Sequence, residues 1–335
     1  MNRLKERKQP SLLGKVTGSS NFGIFIALVL MVVVFTVMKN SYFSKNNIMN
    51  ILVSCSVVGL VAIGETYLMI AGQIDMSCGS VSAFSGVLVA LLLQDGWGMV
   101  PAILVTLLVG VVIGLVNAFL VTKMEISFFI ATLATQSIFR GLAFIIGGGK
   151  SIGVSNQAFL KIGTTRILGI YLPIIIFLVF FLVFALILAK TRFGRSIYMV
   201  GGNKTAARLA GIQPKKVVGG LFVLSAVMAA LGGIILAARM NSGQPSASEA
   251  LEFDAVTGCV LGGIAMSGGI GNMTGAFIGL LIMQGFNNGL SVLGVQSFWQ
   301  EVAKGLLLIV ALAFDLLRRK QREREMLRKM EEGNR

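Results

Sequence analysis

Long apolar blocks alternate with short polar breaks along this 335-residue chain. Blocks at 22–38, 48–71, 80–93, 99–121, 128–146 and 169–189 precede one sizeable hydrophilic stretch, 190–216. Four more follow, at 217–239, 254–267, 273–291 and 298–316. A bilayer core of about 30 Å takes about 20 apolar residues as helix, so the pattern predicts an all-α integral membrane protein of about ten transmembrane helices. Blocks 80–93 and 254–267 are short: each either crosses or re-enters. The organisation that follows is an N-terminal tail (1–21), a first transmembrane half (22–189, about six helices), the polar segment 190–216, a second half (217–316, about four helices) and a C-terminal tail (317–335). No small-residue cleavage pattern follows Met38, so the first block reads as a retained helix.

Composition supports this reading. The chain is 55% hydrophobic and 13% charged, against about 25% charged in soluble domains. The net charge of +15 is unevenly placed: five Lys and Arg lie in the N-terminal tail, seven in 190–216 and eight after Leu317. Cytoplasmic loops are the basic ones, so both termini and 190–216 are expected in the cytoplasm. The charge is then topological and implies no nucleic-acid partner. The tail "RRKQREREMLRKMEEGNR" is expected to continue the last helix, with Glu325 and Lys329 at i,i+4, as an anchor beside anionic lipid.

Absences narrow the chemistry. The chain has no histidine, which removes His-based acid–base catalysis, metal ligation and proton relays. Cys55, Cys78 and Cys259 are isolated and read as small packing residues. "GGGKS" (147–151) lacks the earlier glycine of a phosphate loop, because Phe144 holds that position, and "GIGNMTG" (269–275) has the wrong spacing for a dinucleotide fingerprint. No metal site, cofactor or catalytic set is expected in this chain.

Two Gly-Ser-rich helix breaks share a pattern. Gly72, Ile74, Met76, Ser77 and Gly79 of "AGQIDMSCGS" (71–80) recur as Gly262, Ile264, Met266, Ser267 and Gly269 of "LGGIAMSGGI" (261–270). Irregular backbone survives in lipid only inside protein or along a wet cavity, and paired interrupted helices point to a transport pathway. The pathway set is Gly72, Asp75, Met76, Ser77, Thr132, Gln136, Gly262, Gly263, Ser267, Asn287 and Asn288. Both breaks follow an inward-going helix in this count, which implies a parallel repeat. Asp75 marks a functional carboxylate, caps the next helix, or does both. Gly110, Gly114, Gly232 and Gly233 read instead as close-packing positions. Glu301 and Lys304, three apart, largely neutralise one another. The uncharged groups of Gln136, Ser137, Thr132, Gln284, Asn287 and Asn288 suit a neutral polyhydroxylated solute, and buried charges are few.

The polar segment contains "GGNKTAARLAGI" (201–212). Asn203 or Thr205 can cap a short helix; Ala206, Leu209 and Ala210 form a shallow apolar face, and Lys204 and Arg208 share another. Gly211 supplies the left-handed stop, and Pro214 blocks resumption. Two turns are unstable alone in water, so cap, face and stop predict a docking element spanning Gly201, Gly202, Asn203, Lys204, Thr205, Ala206, Ala207, Arg208, Leu209, Ala210 and Gly211.

That segment resembles the cytoplasmic coupling motif of the ribose/xylose-type permease subunits of ABC sugar importers. "AGQIDMSCGS", "FIATLATQSIFRGL" (129–142) and "VLGGIAMSGGIGNMTGAFIGLLIMQGFNNGLSVLGV" (260–295) are similar to further blocks of that family. The resemblance implies a non-catalytic, multi-pass subunit of a bacterial inner membrane, paired with a second permease copy or paralogue. It would dock cytoplasmic ATP-binding cassette subunits, which bind the ATP and Mg, and would receive a small neutral sugar from an extracytoplasmic binding protein. Gln73 and Cys78 replace the family's usual Gly and Val, and Ser127-Phe128 stands where a proline often precedes Phe129. Permeases for nucleosides or branched-chain amino acids share the architecture and stand as alternatives, as does a stand-alone carrier.

Overall fold

A computed structural model describes residues 22–333; the basic tail at 1–21 lies outside them. Helices stand at each place where the hydropathy pattern predicts one. They are α1 (Phe22–Met38), α2 (Lys45–Ile70), α3 (Cys78–Gln94), α4 (Met99–Thr122), α5 (Phe128–Ile146), α6 (Gln157–Thr164), α7 (Leu172–Lys190), α8 (Arg192–Gly202), α9 (Lys204–Leu209), α10 (Pro214–Met240), α11 (Leu251–Leu261), α12 (Met273–Val292) and α13 (Ser297–Gly333). Helices α2, α4, α5, α7 and α10 are long and apolar enough to cross a membrane by length and composition. Helix α13 runs through the basic tail, as expected.

Three features depart from the sequence reading. Helix α11 has 11 residues, about 16 Å, so the block at 254–267 holds half a span followed by irregular chain from 262 to 272. Helices α6 and α8 were not anticipated. Two short antiparallel pairs also form among the described residues: β1 (Ile152–Gly153) with β4 (Ser242–Gly243), and β2 (Arg166–Ile167) with β3 (Ile170–Tyr171).

Helices α2 and α10 form the core and run antiparallel, because Gly64 meets Ser225 while Gly232 meets Val57. The expected close-packing glycines do that work. A Cβ on Gly114 would stand 2.5 Å from Val223 Cα, one on Gly110 2.9 Å from Ala230 Cβ, and one on Gly233 would overlap the Ser82 carbonyl. Element order then repeats: long α2, break, short α3, long α4, then long α10, break, short α11, long α12. Since α2 and α10 oppose each other, the repeat is inverted rather than parallel. The counterpart of the 71–77 break is the loop 241–250, and the matching motif at 261–270 has a different place.

Candidate functional site: a buried helix break beside an exposed docking helix

The first break begins where α2 ends. Gly72 takes φ +72°, and the chain folds back beside its own helix. Each displaced N–H that can be traced finds a partner: Gly72 N donates to Met69 O (2.9 Å) and Gln73 N to Leu68 O (2.9 Å). Asp75 N donates to Glu65 Oε2 (3.4 Å), Met76 N to Thr132 Oγ1 (3.1 Å) and Ser77 N to Asp75 Oδ1 (2.9 Å). Backbone in lipid demands this accounting. Asp75 therefore caps the turn that leads into α3, holding the Ser77 hydroxyl as well (2.5 Å), and Asn117 Nδ2 donates to that hydroxyl (2.9 Å). Glu65, Asp75, Ser77, Asn117 and Thr132 are fully buried.

The loop 241–250 performs the equivalent fold-back in the second half. Arg140 clasps it, donating to Pro245 O (2.8 Å), Ala247 O (2.7 Å) and Ser248 O (3.3 Å). Helix α11 thereby starts beside the start of α3: Glu252 Oε2 occupies the space that a side chain at Gly79 would fill, and Gln136 Nε2 donates to Glu252 Oε1 (2.7 Å). Two half-helices thus present their N-termini side by side, with Asp75 and Glu252 where a negative group is favoured. Glu65 Oε1, Asp75 Oδ2, Asn117 Oδ1 and Glu252 Oε2 are buried with no protein partner. Glu252 adds a buried acid that the sequence did not suggest, because it sits just ahead of the block at 254–267.

The expected pathway residues fall into three places. Asp75, Met76, Ser77, Thr132 and Gln136 share the cluster. Gly72 and Ser267 adjoin at one end of the bundle, where a Cβ on Gly72 would lie 3.6 Å from Ser267 O; Gly262 is pressed against Gly275 of α12, and Gly263 turns at φ +83°. Asn287 and Asn288 stand elsewhere: Asn288 Oδ1 accepts from Asn47 (2.7 Å) and Asn287 donates to Asp254 (3.3 Å). Lys304 lies 3.3 Å from Glu301, as its spacing predicts, and also 3.9 Å from Asp254.

The docking element has the expected form. Asn203 is the cap, accepting from Thr205 N and Ala206 N at 2.9 Å each, and Gly211 stops the helix at φ +80°. Ala206, Leu209 and Ala210 are exposed, Leu209 by 85%, together with Lys204 and Arg208. Ala207 is the exception: it is fully buried and anchors α9 to the bundle. Asn203 N donates to Met199 O (3.0 Å) and Ala207 N to Asn203 O (2.9 Å), so α8 and α9 form one hydrogen-bonded elbow.

Comparison with known proteins agrees with this architecture. The family described as the permease component of branched-chain amino acid transport systems matches residues 47–312. The chain is 39% identical over 295 residues to the ribose import permease protein RbsC of Bacillus subtilis, covering 88% of this chain and 92% of that one. It is 37% identical over 295 residues to the ribose import permease protein RbsC of Haemophilus influenzae, covering 87% and 91%. It is 35% identical over 307 residues to the L-arabinose transport system permease protein AraH of Escherichia coli, covering 89% and 91%. No solved structure matches the chain.

Proposed function

The chain belongs to the permease-component family of branched-chain amino acid transport systems, and from that premise we propose that it is the membrane subunit of an ATP-driven importer of a monosaccharide. The sugar relatives, similar along almost their whole length, favour a pentose or related sugar over the amino acids of the family description. The subunit catalyses no reaction. Its cytoplasmic ATPase partners hold ATP and Mg, a second permease copy or paralogue completes the passage, and a binding protein delivers the sugar from outside the bacterial inner membrane. Ten membrane passages with both tails and 190–216 in the cytoplasm fit the charge distribution. Asp75, Met76, Ser77, Thr132 and Gln136 belong to the passage wall, with Gly72, Gly262, Gly263 and Ser267 at its cytoplasmic end. Asn287 and Asn288 lie nearer its other end.

The observation that carries the coupling role is α9: six residues, capped and stopped, with Leu209 held almost wholly in solvent. Ala207 already seats α9 on the bundle, so the exposed Leu209, Lys204 and Arg208 are left to meet a second protein. ATP binding acts by favouring one arrangement of the pair over another. The test is gentle purification from the native membrane. An ATP-binding cassette protein should co-purify with the wild type and be lost on Leu209→Asp or Arg208→Glu, and the complex should accumulate ribose or arabinose in liposomes. A chain that purifies alone and still moves sugar would overturn the reading. The buried Glu65, Asp75 and Glu252 motivate a second reading, a proton-driven carrier; uptake driven by a pH gradient without ATPase would establish it.

A further inference from the structure

We infer that Gly201 is the joint through which the docking element moves both helix breaks as one unit. The inference rests on the reading of 201–211 as the ATPase-docking element, whose exposed surface is 202–211 apart from Ala207 and whose half-buried inner end is Gly201. Helix α8 ends beyond Gly201, whose nearest neighbours are backbone atoms. A Cβ on Gly201 would overlap the carbonyl oxygen of Ile70, the last residue of α2, and stand 2.6 Å from Gly269 N. Those two atoms are themselves bonded: Gly269 N donates to Ile70 O at 2.8 Å. Gly201 is thus seated on the hydrogen bond that ties the first break to the second.

The surroundings repeat the theme. A Cβ on Gly268 would lie 2.9 Å from both Gly201 O and Gly72 N, and one on Gly269 would lie 2.9 Å from Gly202 Cα. Gly72, Gly268 and Gly269 also take φ of +72°, +85° and +75°, where side chains are strained. Tyr198, one turn before Gly201, donates its hydroxyl to Gly271 O at 2.8 Å. Where backbone meets backbone at Gly201, no rotamer change can absorb a displacement, and close-packed groups transmit it. The sequence resemblance between the breaks has its reason here: both must bring backbone, rather than side chains, to a shared contact.

The test uses the complete transporter, permease with ATPase and binding protein, in proteoliposomes. It compares ribose or arabinose uptake with ATP hydrolysed. Gly201→Ala should keep the ATPase bound and hydrolysing while uptake per ATP falls about tenfold, within the range that mutations along a coupling route produce. Tyr198→Phe, which removes one hydroxyl, should lower the ratio about fivefold, the factor of one ordinary hydrogen bond. Gly220→Ala, a glycine of α10 with nothing within 4 Å of its Cβ, should keep the wild-type ratio. A wild-type ratio in Gly201→Ala overturns the joint and leaves the permease reading standing. Should Gly201→Ala fail to assemble, an unchanged ratio in Tyr198→Phe overturns it instead. A wild-type complex that binds no ATPase removes the underlying reading.

Discussion

Asp75 uses one carboxylate oxygen to cap the turn that leads into α3, through Ser77 N and Oγ, and keeps the other, Oδ2, buried without a protein partner. The two oxygens separate its structural role from the transport role proposed for it. Asp75→Asn preserves the capping oxygen, so thermal stability in detergent should match the wild type, while uptake falls because an amide donor replaces the free acceptor available to a sugar hydroxyl. Asp75→Ala removes the cap and strands buried donors, which costs about 1–3 kcal/mol; a denaturation series on the purified protein reads it. A stable Asn variant with full uptake would leave Asp75 a cap alone. Outside the membrane, Lys215 Nζ lies 2.6 Å from Glu125, and its hydrogen bond and charge hold the Glu125 carboxyl below its ordinary 4.5. A carboxyl lowered on folding contributes stability above its unfolded value and loses it as pH falls through the folded one. Glu125→Gln should therefore lower the melting temperature slightly at pH 7 and converge with the wild type as pH falls below the lowered Glu125 value. Melting curves across pH would show the gap, and high salt should shrink it.

Helix α11 shows why elements were unequally legible. The long helices announce themselves by apolar length alone, and α9 by Asn203, Gly211 and Pro214. Helix α8 was hidden by Gly194, Gly201 and Gly202 among basic residues, although its buried Ile197 and Val200 lie on one face. The start of α11 was hidden because Glu252, just ahead of the block at 254–267, reads as polar; its packing against Gly79 and Gln136 makes it interior. Asn117 was overlooked as one polar residue in an apolar helix, and its partner Ser77 is 40 positions away. Asp254 supplies a prediction at this scale. Its side chain is 13% exposed and lies 3.9 Å from Lys304, whereas Glu301 is 60% exposed. Lys304→Met should destabilise by about 1–3 kcal/mol, since it leaves a buried acid with only Asn287. Glu301→Gln should change little, and Asp254→Asn should recover part of the Lys304→Met loss. Chemical denaturation of the four variants checks the order.

At the scale of the whole molecule, the contacts sort the chain into two ends without reference to charge. Gly201 meets Ile70 and Gly269, and Lys215 meets Glu125, so the end of α2, the 262–272 segment, the α4–α5 turn and the docking elbow share one end. Asn47 meets Asn288, and β1 meets β4. The start of α2 and the end of α12 therefore lie together, as do the chain after α5 and the chain after α10. The basic stretch 190–216 belongs to the first end, the one the positive-inside rule assigns to the cytoplasm. The contacts group the segments and the charge rule alone supplies the orientation, which cysteine labelling tests. Cys55, Cys78 and Cys259 are buried, so a membrane-impermeant maleimide should report introduced thiols with little background. Lys150→Cys and Ser297→Cys should label in intact cells, and Lys123→Cys and Gln213→Cys only after lysis. Labelling of Gln213→Cys from outside would invert the orientation and take the docking helix away from any cytoplasmic ATPase. The inverted repeat would survive that result, since it rests on α2 against α10; the direction of transport would not.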